Sequence, residues 1–123
     1  MFKDEKVKIL FVDDTEDNIN LFQLYMKSSE GIECVFETDP EKSVDLINDE
    51  NFDIIFLDIE MPILDGFQVI EKIKDDKSSI YALTAHISGE VFERIKRHDR
   101  IKGIITKPVL KKKIIEVISS EAV

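Results

Sequence analysis

Hydrophobic positions fall into two patterns that alternate along the chain. Three uninterrupted apolar four-mers, Ile9 to Val12, Ile54 to Leu57 and Ile80 to Leu83, are bounded by polar residues. That is how a parallel strand buried on both faces reads. Between and after them, apolar residues recur at helical spacing: Ile19, Phe22 and Tyr25 or Met26; then Val44 and Ile47; then Val69, Ile70 and Ile73. Two further strands are predicted over Glu33 to Thr38 and Gly103 to Thr106. Two further helices are predicted over Glu90 to His98, carrying Val91, Phe92 and Ile95, and over Val109 to Ser120, carrying Leu110, Ile114, Val117 and Ile118. Thr38-Asp39-Pro40 reads as a helix start, with Asp39 as cap and Pro40 in the first turn, and Ser88 before Glu90 predicts a second cap. Five βα pairs with short connections and no linker imply an α/β fold, an open parallel sheet with helices on both faces.

At 123 residues the chain has the size of one domain, so residues 1–123 are expected to form a single unit. No apolar run approaches the roughly 20 residues a membrane span requires, and the charged stretch Lys3 to Lys6 shows no apolar signal segment. Cys34 is the only cysteine, which excludes an internal disulfide and a cysteine-based zinc site and makes the cytoplasm the default compartment. A net charge of −9 argues against general nucleic-acid binding. The charge is uneven: nine Lys/Arg face three acids from Arg94 onward, so the basic C-terminal quarter and the acidic remainder suggest two faces with different partners.

Open α/β sheets bind ligands beyond the carboxyl ends of their strands. The first predicted strand there runs into Asp13 and Asp14, the third into Asp58, the fourth into Thr84, and the fifth into Thr106, Lys107 and Pro108. Three carboxylates crowded at one edge resist full ionisation unless a cation neutralises them. Mg²⁺ suits such oxygen ligands, and Lys107 supplies further positive charge. An aspartate nucleophile, a metal, a lysine and a hydroxyl together describe a phosphoryl-transfer centre. Asp58, alone at the end of the central strand, is the nucleophile candidate; Asp13 and Asp14 are better placed as metal ligands. Acids at strand ends also serve as turn residues and caps, but that does not explain four strand ends at once.

The stretches Ile9 to Asp14, Asp53 to Gly66, Ala82 to Ala85 and Thr106 to Pro108 together resemble the receiver domain of two-component response regulators, over essentially the whole chain. The resemblance implies a doubly wound five-stranded parallel sheet of order 2-1-3-4-5 with five helices, a flavodoxin-like three-layer sandwich. It implies Asp58 as phosphoacceptor, Mg²⁺ held by Asp14, Asp58 and the backbone carbonyl of Glu60 with Asp13 acting through water, and Thr84 and Lys107 contacting the phosphoryl group. A cis Lys107-Pro108 peptide is implied as well. Glu60 and His86 match positions that flank the phosphoryl group and tune its lifetime. Implied partners are a sensor histidine kinase or histidine phosphotransfer protein, and a downstream protein on the face of the fourth helix, fifth strand and fifth helix. Neither nucleic acid nor membrane is expected as a partner. His98 is expected at the surface and Cys34 buried as a small apolar residue of the second strand.

One departure matters. Receivers usually carry Tyr or Phe three residues before the lysine of Lys-Pro, where this chain has Ile104, so an aromatic ring cannot carry the signal outward. A second departure is the short polar stretch Asp75 to Ser79, which lacks a proline. Two other readings compete: a small Mg²⁺-dependent phosphatase with an aspartyl nucleophile and Glu60 as second acid, and a pseudo-receiver that only binds partners.

Overall fold

The computed structural model describes residues 6–74 and 77–121; the charged start before Lys6, and Asp75 and Asp76 within the predicted polar loop, lie outside the described residues. Strands β1 (Val7–Val12), β2 (Ile32–Glu37), β3 (Ile54–Asp58), β4 (Ser79–Thr84) and β5 (Ile101–Thr106) alternate with helices α1 (Glu16–Met26), α2 (Pro40–Asp49), α3 (Gly66–Lys72), α4 (Gly89–Lys96) and α5 (Lys111–Glu121). The strands form one parallel sheet in the order β2-β1-β3-β4-β5.

Alternation within the apolar four-mers builds both faces of the sheet. Ile9, Phe11, Ile54, Phe56, Tyr81 and Leu83 point to one side, where Ile19, Phe22 and Met26 of α1 and Ile114, Val117 and Ile118 of α5 cover them. Leu10, Val12, Ile55, Leu57 and Ile80 point to the other, beneath Ile47 of α2 and Val69 and Ile70 of α3. A third cluster joins Ile59, Phe67 and Ala82 to Ile95 of α4, with Ile104 packed against it. In register across four strands runs an aromatic row, Phe36, Phe11, Phe56 and Tyr81, with centroids 5.2, 4.9 and 6.0 Å apart. Each such pair adds about 0.5–1.5 kcal/mol beyond its buried area.

Several local expectations change. Asp39 caps α2 as predicted, accepting from the Glu41 and Lys42 amides, but the Ser88 side chain makes no cap bond at α4. α5 starts two residues later than the apolar spacing indicated, and Leu110 is exposed because it stands on the connection before the helix. Tyr25 lies at the edge of the core and spends its hydroxyl on the Val109 carbonyl, 2.9 Å away, leaving Met26 as the buried residue. His98 is half-buried rather than free at the surface: its ring stacks on Phe67 and its Nδ1 accepts from the Arg100 amide. Cys34 is only half-buried, because β2 is an edge strand.

One buried acid has no counterpart in the expectations. Glu121, at the end of α5, accepts from Ser79 Oγ at 2.8 Å and Tyr81 Oη at 2.6 Å, and pairs with Lys102 Nζ at 2.6 Å. Burial pulls its carboxyl upward, but these donors outweigh it and hold the group below the usual range. Burial and this carboxylate push the Tyr81 phenol up to about 12.

Candidate functional site

The sheet order fixes where the chemistry gathers. From β1 the chain crosses to β2 on one side, and β3 returns to the other, so the carboxyl ends of β1 and β3 are neighbours at the switch point where α/β ligands bind. Val12 pairs with Leu57, which sets Asp13 and Asp58 side by side. Carboxylate oxygens of Asp13, Asp14 and Asp58 lie within 4.8 Å of one another. Asp13 and Asp58 are buried, and Asp14 is the most exposed of the three.

Asp13 serves the turn and the site at once. Its Oδ1 accepts from the Thr15 amide at 2.9 Å and its Oδ2 from Asn18 Nδ2 at 3.1 Å, which anchors the start of α1. The same Oδ2 lies 3.3 Å from Lys107 Nζ, and that ammonium is 3.1 Å from Asp58 Oδ1. Asp58 Oδ1 also accepts from the Glu60 amide at 3.2 Å. Asp58 Oδ2 is buried and, among the described residues, has no hydrogen-bond partner.

Burial and the neighbouring Asp13 charge push the Asp58 carboxyl up to about 7, against the opposing pull of Lys107. Burial works to lower the Lys107 ammonium, but the facing Asp58 and Asp13 carboxylates prevail and hold it above its ordinary value. The site therefore carries one cation for three acids. Three carboxylates whose oxygens lie within 4.8 Å of one another, facing one ammonium, form an all-oxygen donor set that fits a hard divalent ion.

The connection after Asp58 is shaped to hold this geometry. Asp65 caps α3 in a capping box with Gln68. The Gly66 amide returns to the Ile59 carbonyl at 3.0 Å, and a Cβ on Gly66 would sit 2.7 Å from the Asp58 carbonyl oxygen. Only glycine allows that approach. On the far side, the Lys107 amide donates to the Thr84 carbonyl at 2.7 Å, and Lys107-Pro108 is cis, in line with the resemblance.

Asp13, Asp14, Asp58 and Lys107 thus converge as their strand-end positions implied. Thr84 is fully buried at the same edge, but its hydroxyl donates to the Glu60 carboxylate, with both oxygens at 3.1 Å, and accepts from the His86 amide at 3.0 Å. His86 itself is exposed. Glu60 contributes no side-chain oxygen to the carboxylate cluster. Asn18 was not anticipated; as a polar residue one turn into α1, it could have been suspected from its spacing to Asp13. Around the site, exposed Ile63, Ile87 and Leu110 stand on the connections after β3, β4 and β5.

Comparison with known proteins shows the family and the fold. The family model described as the response regulator receiver domain matches residues 9–119. Over 112 residues the chain is 34% identical to the hybrid signal transduction histidine kinase C of Dictyostelium discoideum, a match covering 82% of this chain and only 9% of that protein. It is 30% identical over 116 residues to the polar-differentiation response regulator DivK of Brucella abortus, covering 91% of this chain and 93% of that one. Among solved structures, a two-component response regulator from Clostridium difficile superposes with a TM-score of 0.83 at 19% identity, covering 95% of this chain and 96% of that one. The receiver domain of a Francisella response regulator does so with a TM-score of 0.77 at 24% identity, covering 94% and 96%.

Proposed function

The chain belongs to the response regulator receiver domain family, and we propose that it is a phosphoacceptor signalling module, residues 1–123 forming one receiver domain, in which Asp58 takes a phosphoryl group from a phosphohistidine. The observation that carries this reading is Asp58 Oδ2, a buried carboxylate oxygen with no hydrogen-bond partner among the described residues, while Oδ1 is held by Lys107 and the Glu60 amide. One oxygen positions the group and the other is free to react. Attack by Oδ2 forms the P–O bond as the P–N bond of the donor breaks, and the electron pair returns to the imidazole nitrogen, which takes a proton from solvent. Lys107 then holds phosphoryl oxygen, and Thr84 offers its hydroxyl to another.

Asp14, Asp58 and the Glu60 carbonyl would hold Mg²⁺, with Asp13 acting through water. Bound there, the ion supplies charge neutralisation for the incoming phosphoryl group. The exposed Ile63, Ile87 and Leu110 offer an apolar rim to a sensor kinase or histidine phosphotransfer protein in the cytoplasm. Downstream, the basic face of α4, β5 and α5 reads out the state to a partner bearing acids. The chemistry is self-catalysed phosphorylation and dephosphorylation of Asp58, the latter by attack of water on the aspartyl phosphate.

The experiment is incubation with acetyl phosphate or phosphoramidate and Mg²⁺ followed by intact mass. One added phosphate in the native chain and none in Asp58→Asn is expected. Absence of any adduct would favour a receiver that only binds partners, and turnover of unrelated phosphoesters would favour a phosphatase.

A further inference from the structure

The Thr84 hydroxyl has a single proton and, in this structure, gives it to Glu60. Its other contact, the His86 amide, takes up a lone pair and leaves that proton as the only thing Thr84 can offer. A phosphoryl oxygen on Asp58 would need the same proton. Glu60 is also tied to the acceptor itself, because its amide holds Asp58 Oδ1. The carboxylate and an incoming phosphoryl group therefore compete for one donor at close quarters, and their like charges repel.

A second possible partner for the Glu60 carboxylate, Arg94, lines the same cavity. That open cavity of about 480 Å³ lies between the connection after β3 and helix α4, on a floor that includes Ile59, Phe67 and Val91. The Arg94 guanidinium carbon sits over the Phe67 ring, 3.8 Å from its centroid, and no ion pair engages it among the described residues. A guanidinium held by stacking keeps its edge free for a carboxylate. Ile104, where an aromatic ring would be expected to move, is a branched aliphatic side chain packed against the same Ile59, Phe67 and Ile95 cluster.

We propose that Glu60 is a two-position latch: it holds the Thr84 hydroxyl in the unphosphorylated protein and, once phosphorylation draws that hydroxyl away, swings to Arg94 and pulls on α4. The idea rests on Asp58 being the phosphoacceptor. It gives the chain a route from the phosphoryl group to α4 that needs no aromatic ring at residue 104. Glu60 acts here through Thr84 and Arg94, as a positioning residue.

The test measures phosphorylation of the native chain by acetyl phosphate with Mg²⁺, by intact mass over time, against Glu60→Ala, Glu60→Gln, Thr84→Ala and the double variant Glu60→Ala with Thr84→Ala. Glu60→Ala frees the hydroxyl and should phosphorylate about tenfold faster, the factor that corresponds to roughly 1.4 kcal/mol, near the value of one hydrogen bond. Glu60→Gln, which keeps an acceptor, should fall between the two. In the Thr84→Ala background the Glu60→Ala change should have no effect. An equal acceleration in that background means simple charge relief and overturns the latch. In the second arm, backbone amide shifts of Glu90 to Ile95 on phosphorylation are compared in the native chain and in Arg94→Gln. Loss of at least half their amplitude in Arg94→Gln is expected, and full retention overturns the second position. A native chain that takes no phosphate would instead overturn the phosphoacceptor reading, so the two failures are distinct.

Discussion

Asp58→Asn should make the protein more stable, by an amount that grows with pH. The native carboxyl is pushed up to about 7 by burial and by Asp13, whereas in the unfolded chain it titrates near the ordinary aspartate value of about 3.9. Below that ordinary value the group is protonated in both states and costs nothing. As pH rises, the unfolded chain loses its proton first while the folded one retains it, so stability falls by up to about 1.4 kcal/mol per pH unit. The decline ends near pH 7, where both states are ionised. Three pH units at that slope give about 4 kcal/mol, a large share of the 5–15 kcal/mol typical of a domain. An asparagine fills the same space, keeps an oxygen for Lys107 and the Glu60 amide, and escapes the penalty. Urea unfolding in EDTA at pH 4.5, 5.5, 6.5 and 7.5, followed by far-UV circular dichroism, yields the difference between variant and native chain at each pH. We expect a small difference at the lowest pH that opens to about 2–4 kcal/mol at the highest. Millimolar Mg²⁺ should then narrow it by stabilising the native chain alone. A difference that does not change with pH, or an asparagine variant less stable at pH 7.5, would refute the assignment of the strain to Asp58 ionisation.

Lys107→Ala leaves Asp13 and Asp58 without their shared cation; in metal-free buffer at pH 7.5 chemical denaturation should show a loss of about 3 kcal/mol, and amide shifts on phosphorylation should shrink. Glu121→Gln keeps the shape but loses the charge facing Lys102, so it should cost about 2 kcal/mol and let the Tyr81 phenol fall from about 12, which ultraviolet titration of tyrosinate reads directly. Ile63 is 88% exposed at φ 72°, a left-handed conformation that is costly for a β-branched residue. Ile63→Gly should raise stability by about 1 kcal/mol, seen as a higher denaturation midpoint, while slowing transfer from a phosphohistidine donor more than from acetyl phosphate.

The central architecture was legible because strands buried on both faces leave no polar position to confuse the pattern. Ile9 to Val12 and Ile54 to Leu57 are such cases, and their helices follow at ordinary spacing. Strand ends were read short where the ladder continues through polar residues: Lys8 and Ser79 belong to β1 and β4 by hydrogen bonding rather than by hydrophobicity. Leu110 was misread as a helix-face residue, since spacing alone does not reveal that the chain is still turning after Pro108. The carboxylate edge could be inferred because strand ends converge by topology. The Thr84 to Glu60 bond could not, since it depends on the path of the connection after β3. Glu121 did leave a signal: it continues the stripe of Ile114, Val117 and Ile118 on α5, and an acid on an apolar stripe calls for buried donors.

Stability and signalling draw on the same atoms here. The sheet order makes the ends of β1 and β3 neighbours, so Asp13 and Asp58 are forced together whatever the rest of the surface does. β1 and β3 are themselves buried on both faces, under α1 and α5 on one side and α2 and α3 on the other, and that packing tolerates the crowding. The remaining strain is directional, because Oδ1 is satisfied and Oδ2 is not. In the proposed reaction a phosphoryl group engages Oδ2, and the elements bonded to its surroundings are the Glu60 connection and the end of β4. Both meet at the Thr84 hydroxyl. Ile104 packs against the Ile59, Phe67 and Ile95 cluster, and the route proposed from the site to α4 runs through the Glu60 side chain rather than a ring at residue 104. Glu60, bonded by its backbone to the acceptor and by its carboxylate to Thr84, is the side chain in contact with both.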